Sequence, residues 1–317
     1  MNEELIQRII QKKEFSQLLR KDVELAFSHF EKRQTSEEDK VKLTRELLHK
    51  VFSAFTSQKL LSPKEKSADW TLRKHISTRE RLGHYEEIYG RLLRDFENER
   101  RISIIDLGAG VNGLSYKFMV EALIDNEKLH SQVRDSNLVV NNKFRVKDER
   151  GKLLKVDVKQ KANLNYIGVE SIGQLVDLMN NYFTGNFQFP VSKTFGNQKV
   201  SDSKEKLSGK AKAVHESLFN LEKIKEIIKE TKKPRIIFLF KVVDSLEMLE
   251  GDYSKKLLKE IVPLVDRVVV SFATRSLIKK ARFKVKRYWF ENFVKENFKV
   301  IEDFELGGER YIVIEKK

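Results

Sequence analysis

The sequence predicts an α/β fold, a mostly parallel sheet with helices on both faces behind an N-terminal helical domain. Three observations carry this. About a hundred polar, helix-patterned residues come first. Strand and helix signals then alternate to the end of the chain. At their junction, Ile102-Ser-Ile-Ile-Asp106-Leu-Gly108-Ala-Gly110-Val-Asn112-Gly113 reads as a buried strand that ends on an acid and opens into a glycine turn.

Residues 1–98 form the helical domain. Thr35-Ser-Glu-Glu38 has capping-box spacing, and Val41, Leu43, Leu47, Leu48, Val51, Phe52 and Phe55 recur behind it at helical intervals. Ser62-Pro63 breaks the pattern. From Arg79 onward Leu82, Tyr85, Ile88, Tyr89, Leu92, Leu93 and Phe96 form a second apolar stripe, read as core. Residues 99–317 form the sheet domain. Strands are expected at 102–106, 165–169, 235–240, 266–272, about 298–304 and 310–315, with helices at 171–182, 217–230, 253–262 and 287–296. The last two strands flank Leu306-Gly307-Gly308 and predict a closing antiparallel hairpin. Two polar stretches interrupt the alternation. Residues near 126–163 predict a β-hairpin insertion, and residues near 184–212 a loop that is either a linker or a substrate lid.

Composition narrows the function. With 317 residues and 40% hydrophobic content, the chain can bury one large or two moderate cores. It has no cysteine, which excludes disulfides, thiolate metal sites and cysteine nucleophiles. No metal site is expected. No apolar run approaches membrane-spanning length, and Met1-Asn-Glu-Glu-Leu lacks the features of a signal peptide, so a cytoplasmic protein is expected. Lys and Arg number 62 against 47 Asp and Glu, a net charge of +15, which favours a polyanionic partner over a merely basic surface.

The glycine turn departs from the dinucleotide fingerprint, because its third glycine comes only three residues after the second. Asp106 and the compact Gly108-Ala109-Gly110 favour an S-adenosylmethionine site. Glu170 ends the second strand, where a carboxylate can accept from both ribose hydroxyls. Ala213-Val-His215-Glu216-Ser217-Leu218-Phe219 either lines an adenine or starts an ordinary helix. His75-Ile-Ser77-Thr78-Arg79-Glu80-Arg81 could grip a carboxylate through arginine. The bland reading makes Ser77 or Thr78 a helix cap and His75 a surface residue. Between Thr274 and Arg287 the chain carries Arg275, Lys279, Lys280, Arg282, Lys284, Lys286 and Arg287 with no acid. Phe283, Tyr288 and Trp289 interleave with them, a pattern suited to structured RNA if it is not simply a solvated face.

Taken together, His75-x-Ser77-Thr78-x-Glu80-Arg81, the Asp106–Gly110 turn, Phe238-Leu-Phe-Lys241, Ser271-Phe-x-x-Arg-Ser-Leu277 and Trp289-Phe-Glu291 resemble the small-subunit (16S) ribosomal RNA guanine-N7 methyltransferases. That family includes the aminoglycoside-resistance enzymes. The resemblance runs from about residue 15 to the carboxyl terminus. It implies a Rossmann-like class I S-adenosylmethionine-dependent methyltransferase with an N-terminal helical, RNA-binding domain. The cofactor would be held by His75, Ser77, Thr78 and Arg81 at its methionine end. Asp106, Gly108, Ala109 and Gly110 would form the turn, Glu170 would take the ribose, and Glu216 and Leu218 would lie near the adenine. Lys241 would border the methyl-transfer pocket as the catalytic residue. Arg275, Lys279, Lys280, Lys286, Arg287 and Trp289 would bind RNA. The implied substrate is the small ribosomal subunit or its rRNA, methylated at a guanine N7 of the decoding region by a monomeric enzyme. Open alternatives are a methyltransferase of tRNA or another RNA, and a catalytically inactive RNA-binding ribosome assembly factor. Arg81→Ala is expected to abolish cofactor affinity with little loss of fold.

Departures from the family pattern are Asp244 and Ala273, where some members carry proline, and Glu170, where others have aspartate. The two insertions are further departures.

Overall fold

In the computed structural model, the described residues are 3–52, 67–96, 99, 101–123, 163–185, 209–274 and 287–317, with the backbone of 139–140, 143–147 and 153–157. Helices α1 (Glu3–Ile10), α2 (Arg20–Glu31) and α3 (Glu37–Phe52) open the chain, followed by α4 (Ala68–Lys74), α5 (Ile76–Arg81) and α6 (Tyr85–Leu93). The capping box of α3 lies one residue later than expected. Asp39 N–H donates to Ser36 Oγ at 3.1 Å, and Ser36 Oγ donates to Asp39 Oδ2 at 2.9 Å.

The sheet is built from β1 (Arg101–Leu107), β5 (Asn163–Glu170), β6 (Gly209–His215), β7 (Arg235–Phe240), β8 (Arg267–Ala273), β9 (Phe298–Leu306) and β10 (Glu309–Lys316). Its order is β6-β5-β1-β7-β8-β10-β9. The first five strands in that order run parallel, and β10 pairs antiparallel with both β8 and β9. Six of the seven residues of β1 are buried, as are the first six of β8. Helices therefore cover both faces, and the strands read as unbroken Ile and Val runs. The expected closing hairpin is present, with Gly307 and Gly308 at φ +61° and +76°, the two positive values that a type I′ turn requires.

Between β1 and β5 lie α7 (Tyr116–Ala122) and a separate small antiparallel sheet of β2 (Val139–Val140), β3 (Lys143–Lys147) and β4 (Leu153–Asp157). The β3–β4 pair is the hairpin expected of the first insertion. Next come α8 (Gly173–Phe183), α9 (Leu221–Glu230), α10 (Val243–Leu249), α11 (Tyr253–Ile261) and α12 (Tyr288–Asn297).

Three elements were absent from the sequence reading, α7, β6 and α10. The residues of β6 were assigned partly to the 184–212 loop, of which residues 186–208 lie outside the described residues. The segment 213–219 is accordingly the end of an edge strand and the turn after it, and no helix starts there.

The hydrophobic core is continuous from Leu5 to Ile314. The N-terminal helices reach the carboxyl edge of the sheet through several contacts. Leu18 forms an isolated bridge with Ile172, Gly173 N–H donates to Gln17 O at 3.1 Å, and Ser245 Oγ donates to Val51 O at 3.2 Å. These contacts place α2 and α3 over the ends of β1, β5 and β7.

Candidate cofactor site at the carboxyl edge of the sheet

Where β1 ends, the N–H groups of Gly108 and Ala109 both donate to Val169 O, at 2.9 and 3.1 Å. Gly108 has φ +73° and Gly110 φ +55°. A Cβ built on Gly108 would lie 2.6 Å from Val242 Cγ2. Any side chain there would thus clash with the β7–α10 connection as well as strain the backbone. Glu170, at the end of β5, clamps the turn. Its Oε2 accepts from Gly110 N–H at 2.8 Å and its Oε1 from Ile172 N–H at 3.0 Å. Burial pushes the Glu170 carboxyl up to about 7, against the backbone donors that pull it down.

Asp106 lies beneath the turn. Its Oδ2 accepts from Asn112 Nδ2 at 2.8 Å and from the Tyr166 hydroxyl at 2.9 Å, and burial raises its pKa. Asn112 in turn accepts at Oδ1 from Arg81 Nη1 at 3.1 Å and from the hydroxyls of Tyr85 and Tyr89. The glycine turn is thereby tied to the His75–Arg81 segment.

That segment is interior. His75 is 1% exposed and Arg81 2%, which corrects the expectation of a surface histidine. The cap of α5 is His75 itself, whose Nδ1 accepts from Thr78 N–H at 3.4 Å; neither Ser77 nor Thr78 fills that role. Thr78 Oγ1 donates to Leu72 O at 2.8 Å. Burial, with the nearby cations of Arg81 and Lys241, holds the His75 imidazole down to about 3, so it is neutral at physiological pH. Arg81 Nε donates to Ser77 O at 3.3 Å, and its guanidinium carbon lies 5.0 Å from the centre of the Phe240 ring.

Lys241 leaves β7 with φ +58°. Its N–H donates to Ser271 O at 3.1 Å, and its ammonium meets Glu80 Oε2 at 2.7 Å and Glu309 Oε2 at 3.1 Å. Glu309 is fully buried. It also faces Arg81 Nε at 3.6 Å and accepts from the Ser271 hydroxyl. Glu309 was missed in the sequence, where it reads as a polar residue after a Gly-Gly turn. Only the β8–β10 pairing brings it under Lys241.

A cavity lies beside these groups. Its floor is Gly108, Glu170, Ser171, Phe240, Lys241 and Val242, and one wall is Leu218 and Phe219. Its roof comes from α2 and α3 through Asp22, Val51 and Phe52. The space between the walls measures ≈ 510 Å³, counting solvent at the mouth. Of the sequence-predicted residues, Gly108, Glu170, Leu218 and Lys241 line it directly. His75, Ser77, Thr78, Arg81, Asp106, Ala109 and Gly110 do not line it. Glu216 does not line it; its carboxylate accepts from Ser217 N–H at 2.9 Å and Asn220 Nδ2 at 3.3 Å at the start of α9.

The donor set fits a nucleoside cofactor. A glycine leaves room where a Cβ would meet Val242, an acid stands at the neighbouring strand end, and an apolar slot and the ammonium of Lys241 complete the walls.

Arg275, Lys279, Lys280 and Lys286 lie outside the described residues. Arg287 is held by Asp244, with Nη2–Oδ2 at 2.6 Å and Nε–Oδ1 at 3.0 Å, a partner the sequence reading did not foresee. Trp289 is 39% exposed and Tyr288 56%. Among the described residues there is no cluster of three or more metal-ligating side chains and no helix long and apolar enough to cross a membrane.

No protein-family profile matches the sequence, and no curated protein matches it significantly. Solved structures do match along the whole chain. The 16S rRNA methylase RmtB superposes with a TM-score of 0.63 at 16% identity, covering 99% of this chain and 98% of that one. The 16S rRNA methyltransferase RmtF, in complex with S-adenosyl-L-homocysteine, gives 0.61 at 18% identity, covering all of both chains. An rRNA methylase from Escherichia coli gives 0.61 at 17%, covering 99% of each. The chain therefore shares the fold of these rRNA methylases along its whole length, a seven-stranded sheet with a helical N-terminal region.

Proposed function

We propose that the protein is an S-adenosylmethionine-dependent methyltransferase of ribosomal RNA, acting on a guanine N7 in the decoding region of the small subunit. The observation that carries the reading is the Glu170–Gly110 clamp at the sheet edge, opening on a cavity that Lys241 borders. The whole-chain likeness to rRNA methylases and the net charge of +15 support the substrate class. When bound, the cofactor supplies an activated methyl group on a sulfonium. Guanine N7 has an in-plane lone pair and no proton to lose, so no general base is required, and the work of the protein is alignment.

In this reading Gly108 admits the nucleoside, Glu170 accepts from the ribose, and Leu218 packs on the adenine. Arg81 receives the carboxylate, positioned by Asn112. His75 stays neutral, so beside the sulfonium it contributes no charge. Lys241, held by Glu80 and Glu309, marks the side on which the base arrives. Trp289 and Tyr288 offer exposed rings for stacking. Arg287, already paired with Asp244, anchors the start of α12. On the N-terminal helices, Arg8, Lys12, Lys42, Arg45 and Lys50 line a groove between α1 and α3, interspersed with Glu14, Glu38 and Glu46; it offers a second contact with RNA phosphates. A monomer acting in the cytoplasm completes the proposal.

The test is incubation with labelled S-adenosylmethionine and either small ribosomal subunits or naked rRNA, followed by mapping of the label. Label on a guanine N7 of the decoding region supports the proposal. Label on tRNA redirects it, and cofactor binding with no transfer to any RNA favours an assembly factor. Changing Lys279 and Lys280 to Glu is expected to weaken RNA binding while sparing cofactor affinity.

A further inference from the structure

Asp22 belongs to the N-terminal helices, yet it faces the candidate cofactor cavity. It is 1% exposed, on the first turn of α2. Its Oδ1 accepts from the Ser217 hydroxyl at 2.7 Å, beside Leu218. Its Oδ2 is buried and makes no hydrogen bond of normal geometry among the described residues, with the Ser171 hydroxyl standing near the carboxyl. It lines the same cavity as Glu170, Ser171 and Leu218. An acid in the first turn would favour the helix dipole equally well from the surface. Burying a carboxylate with an oxygen unsatisfied is costly, and that cost is offset only when something donates to it. Burial pushes its carboxyl up to about 6, with the hydroxyls of Ser217 and Ser171 opposing the shift. One oxygen of the ionised acid therefore lacks a protein donor.

We propose that Asp22 is a binding residue for the nucleoside, its free carboxylate oxygen accepting a hydrogen bond from the exocyclic amine or a ribose hydroxyl of the cofactor. This rests on the methyltransferase reading and deepens it, because the N-terminal helices then complete the pocket as well as covering it. Asp22 stands on the Glu170–Leu218 side of the cavity, away from Arg81, which assigns it to the nucleoside half of the ligand. Glu216, the acid the sequence suggested near the adenine, does not line the cavity, and its Oε1 accepts two hydrogen bonds at the start of α9.

The experiment is titration calorimetry of S-adenosylhomocysteine with the full-length wild type, Asp22→Asn and Asp22→Ala, with thermal melting to confirm folding. Three analogues extend it, one lacking the exocyclic amine and two lacking the 2′ or the 3′ hydroxyl. The wild type is expected to bind S-adenosylhomocysteine, with a loss of about tenfold to a hundredfold in each variant, the range of one charge-assisted hydrogen bond. One analogue is expected to lose as much on the wild type and little more on the variants, and that analogue identifies the donor. Equal binding by wild type and folded variants would overturn the assignment of Asp22 and leave the methyltransferase reading standing. If the variants do not fold, undiminished wild-type affinity for all three analogues would overturn it. No binding by the wild type would remove both.

Discussion

Glu170 and Gly110 are joined across two parallel strands, the glycine N–H donating to the buried carboxylate at 2.8 Å. With Ile172 N–H on its other oxygen, Glu170 fixes the glycine turn of β1 against β5.

Glu170→Gln can accept from only one of these two N–H groups. It is expected to destabilise the fold by about 1–3 kcal/mol and to weaken S-adenosylhomocysteine binding at least about tenfold. Denaturant unfolding and calorimetry measure the two effects separately.

Glu170 is raised from its ordinary 4.5 to about 7 and Asp22 from 3.8 to about 6. The folded chain therefore holds protons that the unfolded chain releases in those windows. Their contribution to stability is present below the unfolded values and is lost as pH rises through the folded ones. The unfolding free energy of the wild type relative to Glu170→Gln is expected to fall between pH 4.5 and about 7. A flat difference across that range would contradict the burial argument.

Gly108→Ala brings two separate penalties, the positive φ and the approach to Val242. Together they are expected to cost about 2–4 kcal/mol. Adding Val242→Ala relieves the second alone, so the double variant should recover part of the loss on melting. Full recovery would show that φ carries no strain.

Lys241 combines a left-handed backbone with a buried ion pair. Lys241→Gly and Lys241→Ala both lose the pair, but only glycine accepts φ +58° freely. The glycine variant is expected to be more stable by about 1 kcal/mol, as calorimetric melting can show. Both should slow methyl transfer more than they weaken cofactor binding.

Burial of Arg81 changes one expectation drawn from sequence. Arg81→Ala would strip Asn112 of a donor and Glu309 of a buried counter-charge, so it should lower stability by about 3 kcal/mol besides abolishing cofactor affinity. A melting temperature equal to wild type would restore the simpler view.

The glycine turn, Glu170 and the closing hairpin were legible in the chain because each follows from local pattern: an apolar run, a terminal acid, a Gly-Gly pair between alternating strands. β6 was not legible. It is an edge strand in which Lys210 and Lys212 are exposed and Ala213 is buried, so its composition resembles a loop. Glu309 and Asp22 were invisible for a different reason. Each is an acid in a polar setting, brought to the candidate site only by a partner element far along the chain, β8 for one and the β6–α9 turn for the other. His75 misled for the same reason, since nothing local distinguishes a buried cap from a surface imidazole.

In the proposed function the turn at residues 106–113 and Glu170 seat an adenosyl cofactor, and the decisive measurement is a crystal structure of the complex with S-adenosylhomocysteine. The expected result is nucleoside density over that turn, ribose hydroxyls at the Glu170 carboxylate and the amino-acid end toward Arg81. Density bound elsewhere on the chain, with this edge left empty, would contradict it.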